Sequence, residues 1–421
     1  MQTQRKTGNN IHYDRVLSAW REQVTTTANG PDLKQRLVHQ ERELLPRFAA
    51  QYSKLSVLPR TARRAMQRQW KRSLAGVALL LALGQTPAMA ATINVSGGCS
   101  LVNAITAANT DTATGGCAKG SGRDTIVLPR GSTQTLTAVN NSTYYAGNGL
   151  PVVTSTITIQ GNGATIRRAG SAPNFRIFAV APQGKLKLQQ TAVSGGKTDG
   201  GTAAKGGALY DYGGIVTVTN STISGNSASG SGGGIYSIGG SLTLTNSTVS
   251  GNSSGANGGG IRTYGALTLK NTTITRNSAK FGGGGVGVFI SSTTLHKTLV
   301  SGNTAPTGRE INDSTPSGTS GTFTANDFNV FGFNGNAGVS GFTPGATDIV
   351  PRVGLSKVLN TTLANNGGPT RTHALPTGSP AIDSVSDGTC PPPARDQRGT
   401  RRPRDGNGDG GAACDTGSVE R

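Results

Sequence analysis

Large and charged side chains are what this 421-residue sequence has least of: aromatics make up 5% and charged residues 14%. So few large side chains exclude a thick globular core, and so little charge excludes a disordered polyelectrolyte. The four cysteines contain no Cys-x-x-Cys, and His296 and His373 stand isolated, which argues against a zinc site. No apolar run reaches the ~20 residues that a membrane-spanning helix needs. Glycine is what abounds: 63 residues, about twice ordinary usage, without the every-third spacing of collagen. A repetitive β architecture in which each layer buries a thin strip fits this balance.

The basicity is unevenly placed. Residues 1–72 hold 15 Lys and Arg against 5 Asp and Glu, half of the net +20. Trp70-Lys71-Arg72, an apolar run from Ser73 to Gly84 and Ala88-Met89-Ala90 have the order of a Sec signal peptide, with cleavage expected after Ala90. Two readings of the start remain open: an extended leader, or initiation at Met66. Residues 1–65 are accordingly read as a basic extension, 66–90 as the signal, and neither as part of the fold.

Beyond Ala90, self-similarity is the strongest signal in the chain. Asn220-Ser221-Thr222-Ile223-Ser224-Gly225-Asn226 returns as Asn246–Asn252, Asn271–Asn277 and, decayed, Lys297–Asn303. The closing asparagines Asn226, Asn252, Asn277 and Asn303 are therefore about 25 residues apart, too short for a propeller blade. Short alternating runs precede each unit (Ile215–Thr219, Ser241–Thr245, Ala266–Lys270), and glycine clusters such as Gly232-Gly233-Gly234-Ile235 separate them. The pattern predicts one coil of a right-handed parallel β-helix per repeat, with two or three short strands each. Val216/Val218, Leu242/Leu244 and Leu267/Leu269 would face inward as one ladder and Ile223, Val249, Ile274 and Val300 as another, while the recurrent asparagines stack at an inward corner. The regular coils are assigned to 185–310, an N-terminal cap and irregular coils to 91–184, and C-terminal coils with a cap to 311–421.

Both ends of a solenoid need covering. Leu101, Ala104, Ile105 and Ala108 form a helical stripe behind a Ser100 N-cap, the expected N-terminal cap. All four cysteines lie beyond the expected cleavage site. Three pairings are open; the local one, Cys99 with Cys117 and Cys390 with Cys414, closes loops of about 18 and 24 residues, each contributing ~3 kcal/mol.

At these residues the chain resembles a known group. Cys99–Asn109 followed by Asp124–Pro129 is similar to the CSLREA-type start of bacterial surface β-helix proteins, with Val102-Asn103 in place of the usual Arg-Glu. Phe328-Asn329, Gly367–His373, Asp396–Gly399 and Cys414–Glu420 resemble a choice-of-anchor Q domain, and the glycine-cluster coils resemble polymorphic outer-membrane-protein repeats. The resemblance implies an exported β-helix, displayed or released, and assigns no reaction. With no sorting motif or second apolar segment after the cap, soluble secretion or attachment through a partner is expected.

Candidate chemistry is sparse. Between 125 and 309 the only acids are Asp199 and Asp211. With Lys205 they are the candidates for a lyase-like site, the chemistry expected of the alternative reading, a pectin-lyase-like polysaccharide enzyme. Asp405, Asn407 and Asp409, with Asp415 or Glu420 replacing Thr416 at position 12, match the first half of a calcium loop and make structural calcium the one candidate cofactor. Arg395, Arg398, Arg401, Arg402 and Arg404 form a candidate anion patch, set against pairing within the cap. Gly251–Gly255 and Gly406–Gly411 match nucleophile-elbow and dinucleotide patterns but lack the strand-to-helix setting. Outward Thr217/Thr219 and Thr243/Thr245 suggest a water-ordering array, which Lys270 and His296 would interrupt. The expectation is a non-enzymatic, adhesin-like protein at the outer surface, outside the cell or in the periplasm. Its partners would be glycan, matrix or a cell-surface protein, not nucleic acid.

Overall fold

The computed structural model describes residues 90–316, 321–390 and 392–421. Contacts divide the chain into units 1–87 and 88–421, and the described residues belong to the second. The basic extension 1–65 and, Ala90 apart, the signal segment 66–90 lie outside the described residues.

The fold is a right-handed parallel β-solenoid. One regular coil runs through Ser241–Thr245, Thr248–Ser250, Ser253–Ser254 and Ile261–Thr263 before the next begins at Ala266. These four strands pair with their counterparts one coil away, always in parallel, so four sheets arise with nine, eight, four and seven strands. The two or three strands expected per repeat thus become four, because the residue pair after each corner asparagine pairs separately.

Alternation decides what fills the bore. Val216, Leu242 and Leu267, with Val218, Leu244 and Leu269, point inward from the nine-stranded face. Ile223, Val249, Ile274 and Val300 enter from the eight-stranded face, and Leu209, Ile235, Ile261, Val286 and Ile311 from the seven-stranded one. All are nearly or wholly inaccessible, and each contributes roughly 1.5–3 kcal/mol by leaving water.

Polar stacks fix the corners. Asn162, Gln190, Asn220, Asn246, Asn271, Lys297 and Phe328 make the bend between the first two faces, one per coil, all with φ between 46° and 53°. This left-handed bend explains the asparagines that open the repeat, since asparagine enters that region at least cost among residues with a Cβ. The next residue, Thr191, Ser221, Ser247, Thr272 or Thr298, turns its hydroxyl to the interior. Glycine is required where coils approach: a Cβ on Gly233 would lie 2.3 Å from the Ser253 oxygen and 2.5 Å from that of Gly259.

The helix Leu101–Thr110 forms where expected, Ser100 Oγ accepting from the Asn103 N–H at 3.2 Å, and its stripe packs on the first strands of the nine-stranded face. Cys99–Cys117 and Cys390–Cys414 are the two disulfides. At the far end Phe342 stacks on Phe323 at 3.9 Å and packs against the last inward residues. The disulfide-closed C-terminal segment, expected as an end cap, lies instead along the flank of the eight-stranded face. Arg371 O accepts from Thr222, Arg395 O from Asn246, Gln397 Oε1 from Thr248, and Ser418 N–H donates to Thr273. Leu299 and Val330 on that face join Val358, Leu359, Leu375, Ala381 and Ile382 in a second, smaller apolar cluster. The outward hydroxyls of Thr222, Thr248, Ser250 and Thr273 are thus engaged within the molecule.

Candidate functional site

The four corner asparagines form a hydrogen-bonded ladder. Asn226 Nδ2 donates to Asn252 Oδ1 at 3.0 Å, Asn252 to Asn277 at 2.9 Å and Asn277 to Asn303 at 2.9 Å. Each Oδ1 also accepts the backbone N–H of the asparagine one rung before. The ladder starts at the Gly196 N–H and ends on a residue that sequence reasoning passed over, Glu310, whose carboxylate accepts from Asn303 Nδ2 and from the N–H groups of Gly302 and Asn303. Burial pushes the Glu310 carboxyl up to about 7 despite these donors. Register could have revealed it: Glu310 stands beside Gly285, in the column of Gly234 and Gly260.

The candidate acids do not converge. Asp211 is buried at an inward corner, one oxygen accepting from Ser237 Oγ and the other from Gly214 N–H, both at 2.8 Å, and burial raises it to about 6. Asp199 lies at the surface and accepts from Asn174, while Lys205 sits over the Tyr236 ring. Of the calcium set, Asp405, Asn407 and Asp409 share one loop and Asp415 does not belong to it. Asp405 and Asp409 accept from the backbone of Gly408, Gly410 and Gly411, and Asn407 bridges to Asp409. Asp415 is buried elsewhere, accepting from Asp383 and Arg421 N–H. No group of three or more His, Cys, Asp or Glu able to hold a metal occurs among the described residues.

The five arginines do not form one patch. Arg402 is buried, bound to Glu420 at 2.8 Å and to the carbonyls of Asp415 and Gly417, and Arg398 clasps Asp396 and the Glu420 carbonyl. Only Arg395, Arg401 and Arg404 face solvent. His373, isolated in sequence, is a buried clasp of the flank segment: Nδ1–H donates to Asn360 O at 2.7 Å, leaving Nε2 to accept from Ser250 Oγ at 2.8 Å. Burial pulls it down to about 4. His296 and Lys297 both contact Asp327, at 2.6 and 2.9 Å, on the edge of the nine-stranded face.

Two outer faces remain. On the nine-stranded face one outward column reads Thr92, Thr125, Thr158, Lys187, Thr217, Thr243, Thr268, Thr294, Thr324. Lys270 and His296 occupy the neighbouring column, beside Thr245, so the expected interruption does not touch this one. On the seven-stranded face, unforeseen from sequence, lie the six tyrosines of the described residues. Tyr210 and Tyr236 stack at 5.2 Å and 9°, with Tyr144 and Tyr212 at one end and Tyr264 and Phe289 at the other. Arg176, Lys205 and Arg262 lie over these rings at 4.8–4.9 Å. Tyr145 adjoins them and is 76% exposed. A depression of about 220 Å³ beside the N-terminal helix, lined by Val102, Leu136, Val139 and their neighbours, carries no titratable side chain.

This geometry defines the class, a parallel β-solenoid. Residues 183–341 match the family model described as a right handed beta helix region, which spans the regular coils. No curated protein and no solved structure matches the chain significantly.

Proposed function

We propose that this protein is an exported, non-enzymatic interaction scaffold, displayed at the cell surface or released from it, that engages its partner along the side of the rod. The disulfides suit an oxidising compartment, and no helix among the described residues is long and apolar enough to cross a membrane. The CSLREA-like start and choice-of-anchor-Q-like end point the same way. The observation that carries the proposal is the outward column of eight threonines and one lysine over nine rungs, a rigid polar surface suited to many weak contacts.

The alternative is a polysaccharide-cleaving β-helix. Asp211 is a poor candidate for such chemistry, because both its oxygens are occupied inside the coil. The reading rests instead on His296, a partly exposed imidazole whose Nδ1 lies 2.6 Å from Asp327 Oδ2 on the nine-stranded face. Incubation with acidic polysaccharides, with and without Ca²⁺, separates the two. The scaffold releases no reducing ends or unsaturated products; their appearance, and their loss in His296→Ala, would establish the enzyme.

A further inference from the structure

We propose that the tyrosine strip on the seven-stranded face binds an acidic polysaccharide chain laid along the rod, an inference that rests on the scaffold reading and names its ligand. Three observations converge. The first is placement. Six tyrosines from four separate stretches of sequence (Tyr144 and Tyr145, Tyr210 and Tyr212, Tyr236, Tyr264) meet on one face, although the repeat supplies a tyrosine next to the glycine cluster only at Tyr210 and Tyr236. Tyrosine rings give broad, stiff contact with a polar edge, suited to the C–H faces and hydroxyls of sugars. Tyr210 and Tyr236, 3% and 2% exposed, form the base of the strip, and Tyr144, Tyr145, Tyr212 and Tyr264 carry its accessible surface.

The second is preorganisation. Tyr144 and Tyr145 both have positive φ, 61° and 64°, a costly conformation for residues of this size. It is held from beneath: buried Arg176 donates to the Tyr144 carbonyl at 3.1 Å from both terminal nitrogens and to Asn148 Oδ1, and Asn148 Nδ2 donates to Thr143 O. The bend fixes Tyr144 against Tyr210 and Tyr212 while Tyr145 projects into solvent.

The third is charge. Fourteen Lys and Arg lie between 125 and 309 against Asp199 and Asp211. Asp211 is turned inside the coil, and Lys205 lies over Tyr236 at the middle of the strip. The phenols stay protonated at neutral pH, because burial pushes Tyr210 up to about 12 and Tyr236 higher still. Arg176 and Arg262 are buried among the rings, so of the three cations over them Lys205 is the one that reaches the surface, and its ammonium beside the accessible phenols is complementary to a polymer that carries both ring faces and carboxylate or sulfate groups.

The test is affinity electrophoresis of the full chain in gels containing polygalacturonate, dextran sulfate or neutral dextran. The expected result is retardation by the two acidic polymers and not by dextran. It should weaken about tenfold in Tyr145→Ala/Tyr212→Ala, and measurably in Lys205→Ala. Lys357→Ala, which removes one exposed charge from the short helix Leu355–Val358, should behave as wild type. Tyr145 and Tyr212 are exposed, so the double variant keeps the wild-type melting temperature; if it does not, Lys205→Ala carries the test. Wild-type retardation of the tyrosine and lysine variants, or no preference for the acidic gels, overturns the inference and leaves the scaffold standing. Release of sugar ends from the polymers would instead refute the scaffold.

Discussion

Acidification should loosen the C-terminal flank through His373. Its ring is 1% exposed, holds Asn360 O and Ser250 Oγ as a neutral base, and binds a proton only near pH 4, against an ordinary value of 6.5. A base whose folded value is depressed favours the docked state above pH 6.5, and that contribution is lost as pH falls from 6.5 toward 4. Between pH 7.5 and pH 5 these two values give a loss of about 2 kcal/mol, close to a 30-fold rise in the opening equilibrium of the segment around His373. Native-state hydrogen exchange of residues 360–382, corrected for intrinsic rates, reads that factor directly. Glu310 and Asp211, raised to about 7 and about 6, act with the opposite sign over the same range, so the comparison must be with His373→Gln. The glutamine can keep a donor toward Asn360 O and an acceptor toward Ser250 without titrating. If wild type and variant open by the same factor on acidification, His373 is not the clasp.

Three further outcomes follow from the coil. Asn252→Ala removes the acceptor of the Asn226 N–H and the donor to Asn277 and Ile223 O; urea titration should show a loss of about 2–5 kcal/mol, well beyond that of Thr243→Ala. Glu310 has a raised folded value, so its contribution is full at low pH and is lost as pH rises through 7. The stability gap between wild type and Glu310→Gln should shrink by about 2.5 kcal/mol from pH 5 to pH 8, and a constant gap would refute the assignment. Gly233→Ala forces a Cβ onto the backbone of Ser253 and Gly259, and should lower the melting temperature more than alanine at Gly225, where nothing lies within 4 Å but φ is positive.

The repeat was readable because a parallel solenoid places like residues on like residues: the spacing of Asn226, Asn252, Asn277 and Asn303 is the length of the coil. The inward aliphatics and the N-terminal helix followed from periodicity. What stayed hidden lies where the period breaks or where register, not composition, decides. Glu310 looked like one charge in a loop until its column was known. Asp211 stands as a candidate acid in sequence because the run Leu209–Tyr212 gives no sign of which members face in; pairing with Ser237 and Thr263 puts it at an inner corner. The tyrosine strip draws Tyr144 and Tyr145 from an irregular loop outside the repeat. The flank segment is held by single side-chain bonds, such as Thr222 to Arg371 O and Thr248 to Gln397, which leave no pattern in sequence.

The asparagine ladder also bears on length. Each rung donates its Nδ2 to the next, so a column ending in another amide would leave that last donor without an acceptor in the interior. Here the last rung is a carboxylate whose oxygens take three N–H groups from its own chain. The series therefore stops inside the chain, beneath the further coil of Val330–Phe331 and Val339–Ser340, and this carboxylate sets its length.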